Sequence, residues 1–394
     1  MDFAFTDAQR AFREEVRAFA RAEVTPQLLA EIEASGEEQH HPAFWAKLAA
    51  RGWLGMQFPE AYGGRSLGNV DATIFYEELE HAFAPISRLR ATVVFVGHSI
   101  VAFGNEAQKQ AFLPRIARGE ITGAWLLTEP GSGSDAASLR LRAVEDGGHW
   151  VLNGEKIFTS GAQGADIGMV AARTDPAART PYEGISLFLV PLKSPGLAIR
   201  PIRTSGGWAV NQEFFDDVRV PADALLGERN KGWANITRYT LNFERASISR
   251  SGTLLRLADE LGRLVAASTS PASRQLRHQL AELRADIVAA RWLGYRVSWL
   301  YDQGQVPTAE SSMIKVVTAE LLGRLADLGT DVLGWAGLVR GRDAPLEGRV
   351  EYFLRSIWFH LVGGGTPDIQ RNVIAQWGLG LPRERTAERE RKKT

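Results

Sequence analysis

The segment best suited to chemistry is a turn rich in glycine and serine at residues 128–135, Thr-Glu-Pro-Gly-Ser-Gly-Ser-Asp. Such a turn exposes backbone N–H groups and hydroxyls without side-chain bulk, so a flat, polar or anionic ligand can approach it closely. A plain hairpin loop of small residues would have the same composition. The segment has no Gly-x-Ser-x-Gly pattern, and no ordered Asp and His follow it, so a hydrolase-type nucleophilic serine is not predicted.

The composition excludes several classes of site. The 394-residue chain has no cysteine, which excludes disulfides, thiolate nucleophiles and cysteine metal ligands. None of its seven histidines forms an HExxH or comparable ligand spacing, so no catalytic metal is predicted. The 46 basic and 46 acidic residues balance, whereas a general nucleic-acid-binding protein needs a basic surplus. With no targeting pattern at the N-terminus and no apolar stretch of the ~20 residues that a membrane span requires, we expect a cytoplasmic protein.

The spacing of apolar residues divides the chain into three sections. The period is helical in the first, that of strands in the second and helical again in the third. Residues 1–120 have a helical period, and Thr6 is placed to cap the first helix. Residues 121–232 consist of short apolar runs separated by turns, which predicts a small antiparallel β-sandwich or barrel. Within this section Asn153-Gly154 lies between apolar runs. This dipeptide favours a tight hairpin because both positions tolerate a positive φ.

The third section, residues 233–394, returns to long amphipathic helices. The predicted helices cover roughly 234–268, 273–303, 308–334 and 346–361. A final helix begins at Thr366-Pro367-Asp368, where Thr is a natural N-cap, Pro fits the first turn and Asp suits the positive end of the helix dipole. Long antiparallel helices predict a C-terminal four-helix bundle, so the expected fold class is α+β and mainly α.

Four segments in chain order resemble the signatures of the acyl-CoA dehydrogenase family. They are residues 124–135, residues 153–161 (Asn-Gly-Glu-Lys-Ile-Phe-Thr-Ser-Gly), the exit from the β section at 217–221 with 227–233, and residues 363–372 (Gly-Gly-Gly-Thr-Pro-Asp-Ile-Gln-Arg-Asn). The matches extend over nearly the whole chain at fitting distances. One such match is a moderate signal, whereas four in register are specific.

The resemblance implies FAD as the cofactor and assigns residues of the β section to it. By position, Trp125, Leu127 and Thr128 offer backbone and hydroxyl contacts to the isoalloxazine ring. Ser134 lines the flavin and the thioester side. Without the motifs in register, Trp125 would be interpreted as ordinary sheet core.

Further cofactor contacts are implied later in the chain. Phe158 stands where the family often has Trp packed against the ring, and Ser160 where a hydroxyl commonly bonds near flavin N5; Thr159 between them belongs to the same segment. Thr366 and Asp368 correspond to positions that contact FAD, which is compatible with ordinary capping of the last helix.

The family's reaction needs a carboxylate that takes the α-proton of the acyl thioester while hydride leaves Cβ for the flavin. Many members place this Glu directly before the Gly-Thr of the C-terminal motif, where this chain has Gly364. Isovaleryl- and long-chain-type members supply it from the first bundle helix, and Glu244-Arg245 resembles that arrangement. The resemblance thus implies Glu244 as the base, with Arg245 and Asn242 on the acyl-CoA. Backbone N–H groups of Gly364 and Gly365 are expected on the thioester carbonyl.

Two segments depart from the family where it binds the adenine side of FAD across a subunit interface. Residues 268–280 look shortened, so that only Arg274 or Arg277 replaces the usual arginine. Residues 331–335 read Asp-Val-Leu-Gly-Trp where the family has Gln-x-x-Gly-Gly. Some bacterial relatives pair two different subunits with flavin in only some sites. The expected assembly is therefore either a homotetramer or an α2β2 assembly with a related subunit.

Three functions follow from the resemblance. The first is dehydrogenation of an acyl-CoA to the trans-2-enoyl-CoA, with electrons passed to an electron-transfer flavoprotein. The second is a flavin monooxygenase or oxidase on the same fold, which the retained Glu244-Arg245 pair disfavours. The third is a flavin-poor subunit that completes a partner's site, which the shortened residues 268–280 favour.

Overall fold

The computed structural model describes residues 4–35, 40–241, 243, 249–269 and 272–382. The first section is helical, and Thr6 caps its first helix as predicted, because its side chain and that of Gln9 each accept a hydrogen bond from the other's backbone N–H. The helices are α1 Asp7–Glu23, α2 Pro26–Ser35, α3 Pro42–Ala50, α4 Asn69–His81, α5 Ser87–Leu89, a π-helical segment Arg90–Gly97, α6 His98–Phe103 and α7 Glu106–Ala117. No helix within the described ranges is both long and apolar enough to cross a membrane.

The middle section forms one eight-stranded sheet. Its strands are β1 Gly123–Leu126, β2 Arg142–Asp146, β3 His149–Ser160, β4 Ile167–Arg173, β5 Ile185–Pro191, β6 Leu197–Arg203, β7 Ala209–Pro221 and β8 Leu225–Leu226. The order is β6-β7-β3-β2-β4-β5-β8, with β1 beside β4. Most pairs are antiparallel, as the turn spacing predicts, but β1 and β2 each pair with β4 in parallel. The strand pattern does not indicate these parallel pairs, because they join strands that are not connected by hairpins.

The hairpin predicted at Asn153-Gly154 is wrong. Both residues lie inside β3, which continues through them with a register shift against β7 between Leu152 and Gly154. A Cβ added at Gly154 would lie 2.9 Å from Cα of Leu141, the residue before β2, so this close approach, and not a turn, requires glycine here. The chain turns instead between β2 and β3, at Gly147 and Gly148.

The third section is helical again. Its elements are α8 Gly232–Asn235, a π-helical segment Ile236–Thr240, α9 Ser251–Ala267, α10 Ser273–Asp302, α11 Thr308–Leu333, α12 Arg349–Val362, α13 Pro367–Val373 and a π-helical segment Ile374–Gly378. The single helix predicted over 234–268 is wrong, because Ser249 and Arg250 are not helical and Arg250 has a φ of 49°. The helix predicted from 346 begins later, since Leu346 and Glu347 also have positive φ values.

Three buried carboxylates of α4 connect this helix to its neighbours, two of them within the N-terminal section and one to the bundle. Glu77 receives two hydrogen bonds from Arg291 of α10, at 2.7 and 2.8 Å. Glu78 receives two from Arg17 of α1, both at 2.9 Å. Glu80 pairs with Arg90 in the π-helical segment. Bidentate pairs of this kind fix both distance and orientation, so they set how α4 lies against its neighbours.

Removing one partner of such a pair should destabilise the fold strongly. We expect Arg291→Leu to lower the free energy of unfolding by about 3 kcal/mol, because Glu77 is then a buried charge that has lost its bidentate partner. Urea denaturation measures the change. The matched control on the same helix is Arg284→Leu, which breaks a surface pair with Asp259 and should cost less than about 1 kcal/mol. Equal effects of the two variants would contradict this account of α4.

Candidate functional site

A buried ion pair fixes the turn at residues 128–135 on its inner side. Glu129 is 7% exposed, and its carboxylate accepts hydrogen bonds from Arg140 N at 2.6 Å, Leu141 N at 2.9 Å and Lys156 Nζ at 2.8 Å. Lys156 is fully buried, and its Nζ also donates to the Leu127 carbonyl at 3.0 Å. The pair therefore fixes the end of β1 and the start of the turn against β3.

The outer side of the same turn is open. Ser134 is exposed, and a Cβ added at Gly131 or Gly133 would meet no atom within 4 Å. Ile157 N donates to the Thr128 carbonyl at 2.9 Å. The Thr128 side chain is half-buried at the same edge. The arrangement provides the ligand-accessible surface of small residues that the sequence predicts.

The core beneath the turn holds a second buried carboxylate, Glu213 of β7, which is 0% exposed. Burial raises the pKa of Glu213 to about 8, although a 2.9 Å hydrogen bond from the Thr159 hydroxyl and the charge of Lys156 act in the opposite direction. Burial also lowers the pKa of Lys156 to about 8 against the attraction of Glu129. The charge of this core therefore changes near pH 8.

The end of β3 presents Phe158 to solvent from a strained backbone. Phe158 is 59% exposed with a φ of 64°, and the register of β3 against β7 shifts between Ile157 and Thr159. A bulge of this kind redirects a side chain, and a bulky residue in the left-handed region is a strained outlier of the type that clusters at functional sites. Thr159 faces inward to Glu213, so a cofactor contact by Thr159 is left to its backbone.

The glycine segment after α12 is fixed by a buried glutamine. Gly364 and Gly365 have φ values of 73° and 89°, and a Cβ at Gly365 would lie 2.4 Å from Gln370 Nε2. That amide donates to the Gly364 carbonyl at 3.0 Å, and Gln370 is 0% exposed. Thr366 caps α13 as predicted by accepting from Ile369 N. Only glycine at 365 permits this contact.

The end of β3 and the glycine segment both line a cavity of about 140 Å³. Ser160 lines it together with Gly363 and Gly364, and the π-helical segment contributes Arg90 and Phe95. π-Helical turns within a helical region, such as this segment, are frequent at functional sites. The predicted residues Trp125, Leu127, Thr128, Ser134, Phe158 and Asp368 lie outside the lining of this cavity. Of these, Trp125, Leu127 and Thr128 are half-buried, whereas Asp368 is exposed.

The predicted base Glu244 and its neighbours Asn242 and Arg245 lie outside the described residues. Phe243 is described, and its ring packs against those of Tyr239 and Tyr301, with centroids at 4.8 and 4.6 Å. The roles assigned to the three outside residues stay predictions.

Sequence reasoning missed the buried or half-buried polar residues around the site: Glu129, Lys156, Glu213, Arg250, Lys315, His360 and Gln370. One signal was present for Lys156, which has the same strand parity as the core residues Trp150 and Leu152. A lysine at an inward position needs a buried partner. For the others the partners are distant in sequence, so spacing carried no signal.

The chain is similar to known proteins along nearly its whole length. The acyl-CoA dehydrogenase N-terminal, middle and C-terminal domain models match residues 6–120, 124–218 and 230–379. Acyl-CoA dehydrogenase FadE26 of Mycobacterium tuberculosis is 33% identical, over 97% of this chain and 99% of its own. Mitochondrial isovaleryl-CoA dehydrogenase of Pongo abelii is 29% identical, over 94% and 88%. The ChsE4-ChsE5 complex from Mycobacterium tuberculosis contains a chain 31% identical, with a TM-score of 0.88 over 98% of this chain and 100% of that one.

The buried Glu213 should make stability depend on pH. Its pKa is about 8 in the folded chain against 4.5 as the ordinary value, so the folded state holds its proton longer than the unfolded state. This contribution is fully present below pH 4.5 and is lost as pH rises through about 8. Between about pH 5 and pH 8 the loss is on the order of 3 kcal/mol.

Glu213→Gln should therefore flatten the decline of unfolding free energy between these pH values, as followed by urea denaturation. Glu145→Gln changes an exposed carboxylate of β2 and should keep the wild-type pH dependence. An unchanged slope in Glu213→Gln would refute the assignment of this titration to Glu213.

The strain at Phe158 is measurable by comparing two truncations. Phe158→Ala and Phe158→Gly both remove the ring and should weaken FAD binding about three- to tenfold, measured by flavin fluorescence titration. Only glycine relaxes the left-handed backbone, so the apo form of Phe158→Gly should be about 1 kcal/mol more stable than that of Phe158→Ala. Val144→Ala, at an exposed apolar residue of β2, should leave FAD affinity unchanged. Identical stabilities would mean that no strain is stored at Phe158.

Proposed function

Because the chain belongs to the acyl-CoA dehydrogenase family, a family of FAD-dependent flavoproteins, we propose that it oxidises an acyl-CoA thioester to the trans-2-enoyl-CoA. The observation that carries the proposal is the cavity in which Ser160 of β3 meets Gly363 and Gly364. These residues come from two motifs about 200 positions apart, and the family pattern requires them on opposite sides of one reacting group.

The residues present fit FAD. The exposed ring of Phe158 offers a flat apolar surface beside Ser160, and the open turn with Ser134 offers backbone N–H groups. In the proposed site Trp125 of β1 and the following residues Leu127 and Thr128 line the ring, while Thr366 and Asp368 lie at the N-terminus of α13, where the helix dipole favours anionic groups. When bound, FAD supplies the acceptor for the hydride that leaves Cβ of the substrate.

The protein's own part in the reaction is to position the thioester and move one proton. We assign the base to Glu244, whose carboxylate takes the α-proton, with Asn242 and Arg245 on the acyl-CoA. At the position where many relatives have their base, Gly364 instead exposes backbone, and the N–H groups of Gly364 and Gly365 would hold the thioester carbonyl. The positive φ values of both glycines support this role, since a side chain there would be strained.

We further propose electron transfer to an electron-transfer flavoprotein and assembly with further subunits in the cytoplasm. Large exposed apolar side chains concentrate in the C-terminal section, which supports assembly because monomers rarely expose such surface. They include Trp335 (87% exposed), Leu379 (70%), Trp358 (67%) and Trp377 (66%). An interface over these side chains is compatible with either a homotetramer or an α2β2 assembly. The ChsE4-ChsE5 complex, a pair of two named components, supports the second.

An anaerobic half-reaction tests the proposal. We expect the flavin absorbance of the purified holoprotein to bleach when an acyl-CoA is added, and Glu244→Gln to slow the bleaching by at least about 100-fold, because the α-proton then has no acceptor. The control Glu282→Gln removes an exposed carboxylate of α10 and should bleach like the wild type.

Other outcomes identify the alternatives. Flavin that never bleaches but consumes oxygen once reduced would favour the monooxygenase or oxidase. A colourless chain that gains flavin only when co-expressed with a relative would favour the partner subunit. Equal bleaching in Glu244→Gln and the wild type would remove Glu244 as the base.

A further inference from the structure

A second cavity of about 240 Å³ lies beside the cavity of Ser160 and Gly364, here termed the first cavity. The connection from α4 to α5 lines the second cavity with Phe83 and Ala84, and α9 contributes Thr253. The turn between β6 and β7 and the first half of α12 form the rest of its wall. No residue of the four family motifs, among those that the structure describes, lines it. The proposed function therefore leaves this space without an occupant.

The two cavities lie end to end along α12. Phe353 of this helix lines the second cavity, whereas Phe359 lines the first. Six residues of a helix correspond to about 9 Å along its axis. Arg90 and Arg250 line both cavities. A ligand group that passes these two side chains moves from the first cavity into the second.

A wall of aromatic rings continues from one cavity to the other. In the second cavity Phe83 packs against Phe353, with ring centroids 6.3 Å apart, and Trp208 packs against Tyr352 at 5.9 Å. Trp208 also packs against Phe359 of the first cavity, at 5.3 Å and an angle of 90°. Such rings present a broad apolar surface, so this wall favours an apolar part of a ligand.

The charged side chains of the second cavity have partners within the protein or in solvent. Arg349 pairs with Glu347 at 2.7 Å, and Arg355 pairs with Glu351. Other charged residues of the lining are exposed to solvent, namely Glu33 and Arg340. Selection among acyl groups is therefore expected to depend on shape and apolar area.

The space widens with distance from the reacting end. The first cavity has a volume of about 140 Å³ and the second about 240 Å³. An extended methylene chain has the same narrow cross-section along its length, so it would leave voids beside it in the second cavity. Voids forfeit the dispersion contacts that a close-packed interior provides. A group broader than a chain fills this space better.

We propose that the acyl group of the substrate extends past Arg90 and Arg250 and ends in a saturated ring system that fills the second cavity. This inference rests on the proposed function and narrows its substrate class. Ala84 and Thr253 are then specificity-determining residues, because each lines the second cavity and not the first. Both are 5% exposed, so a larger side chain at either position would take up space within the cavity.

Two thioesters that differ in the far end of the acyl group test the proposal on the holoprotein. Values of kcat/KM for β-decalylpropanoyl-CoA and butanoyl-CoA are compared, with a dye as electron acceptor. We expect the decalyl substrate to exceed butanoyl-CoA by about tenfold or more, because its rings bury many more apolar carbons. Hexadecanoyl-CoA, which is long but narrow, should be a poorer substrate than the decalyl thioester.

Filling the second cavity should reverse this preference. We expect Ala84→Phe to lower the ratio of the decalyl to the butanoyl value by about tenfold, because the new ring occupies the space of the substrate's rings. Thr253→Phe, a second variant in case the first folds poorly, should lower the ratio as well. The matched control Ala266→Phe adds the same ring at an exposed position of α9 and should leave the ratio unchanged.

A binding measurement separates this inference from the proposed function. The dissociation constant of the non-reactive decalyl thioether of CoA, measured by calorimetry, should rise about tenfold in Ala84→Phe and stay unchanged in Ala266→Phe. If the thioether behaves in this way but no thioester reacts, acyl-CoA dehydrogenation fails and the assignment of the second cavity stands. Hexadecanoyl-CoA or butanoyl-CoA as the best substrate, or equal thioether affinities of Ala84→Phe and the wild type, would overturn the assignment.

Discussion

The buried ion pair between Glu129 and Lys156 is the interaction on which the candidate site depends. Desolvating two charges is expensive and is offset only when further hydrogen bonds complete the geometry. Here the Glu129 carboxylate also accepts two backbone N–H groups, and Lys156 also donates to the Leu127 carbonyl. The same pair thereby determines the path of the chain out of β1 and the shape of the open turn. It also fixes the position of β3 relative to that turn.

The bulge at the end of β3 follows from that arrangement. Lys156 faces inward and Phe158 would follow it on the same face of a regular strand. The register shift next to Phe158 directs its ring outward instead, while Thr159 turns inward to Glu213. On the opposite side, Gln370 fixes the backbone of Gly364 from a helix that Thr366 caps. Two rigid supports, one on the sheet and one on the bundle, therefore form the walls of one cavity.

Local chemistry was predictable from the sequence, and non-local packing was not. The caps at Thr6 and Thr366 need only residues within one turn of helix, and both predictions are confirmed. The hairpin prediction at Asn153-Gly154 failed because glycine is required there by the close approach of Leu141, the residue before β2, which no local window contains. The break at Arg250 was missed as well, since the helical spacing of apolar residues over 234–268 gives no sign of a left-handed residue at this position. The motifs identified the family and residues on two sides of the cavity, but not the basic residues that also line it, which are Arg90, Arg250, Lys315 and His360.

The central claim is that Phe158, Ser160 and Gly364 border one reacting centre. A crystal structure of the FAD-bound protein with a non-reactive thioether analogue of an acyl-CoA measures this directly. We predict that the flavin ring lies against Phe158 with its N5 near the Ser160 hydroxyl. The carbon of the analogue that replaces the carbonyl should lie beside the backbone of Gly364. A flavin bound elsewhere on the β section, or an analogue that leaves the cavity between Ser160 and Gly364 empty, would contradict it.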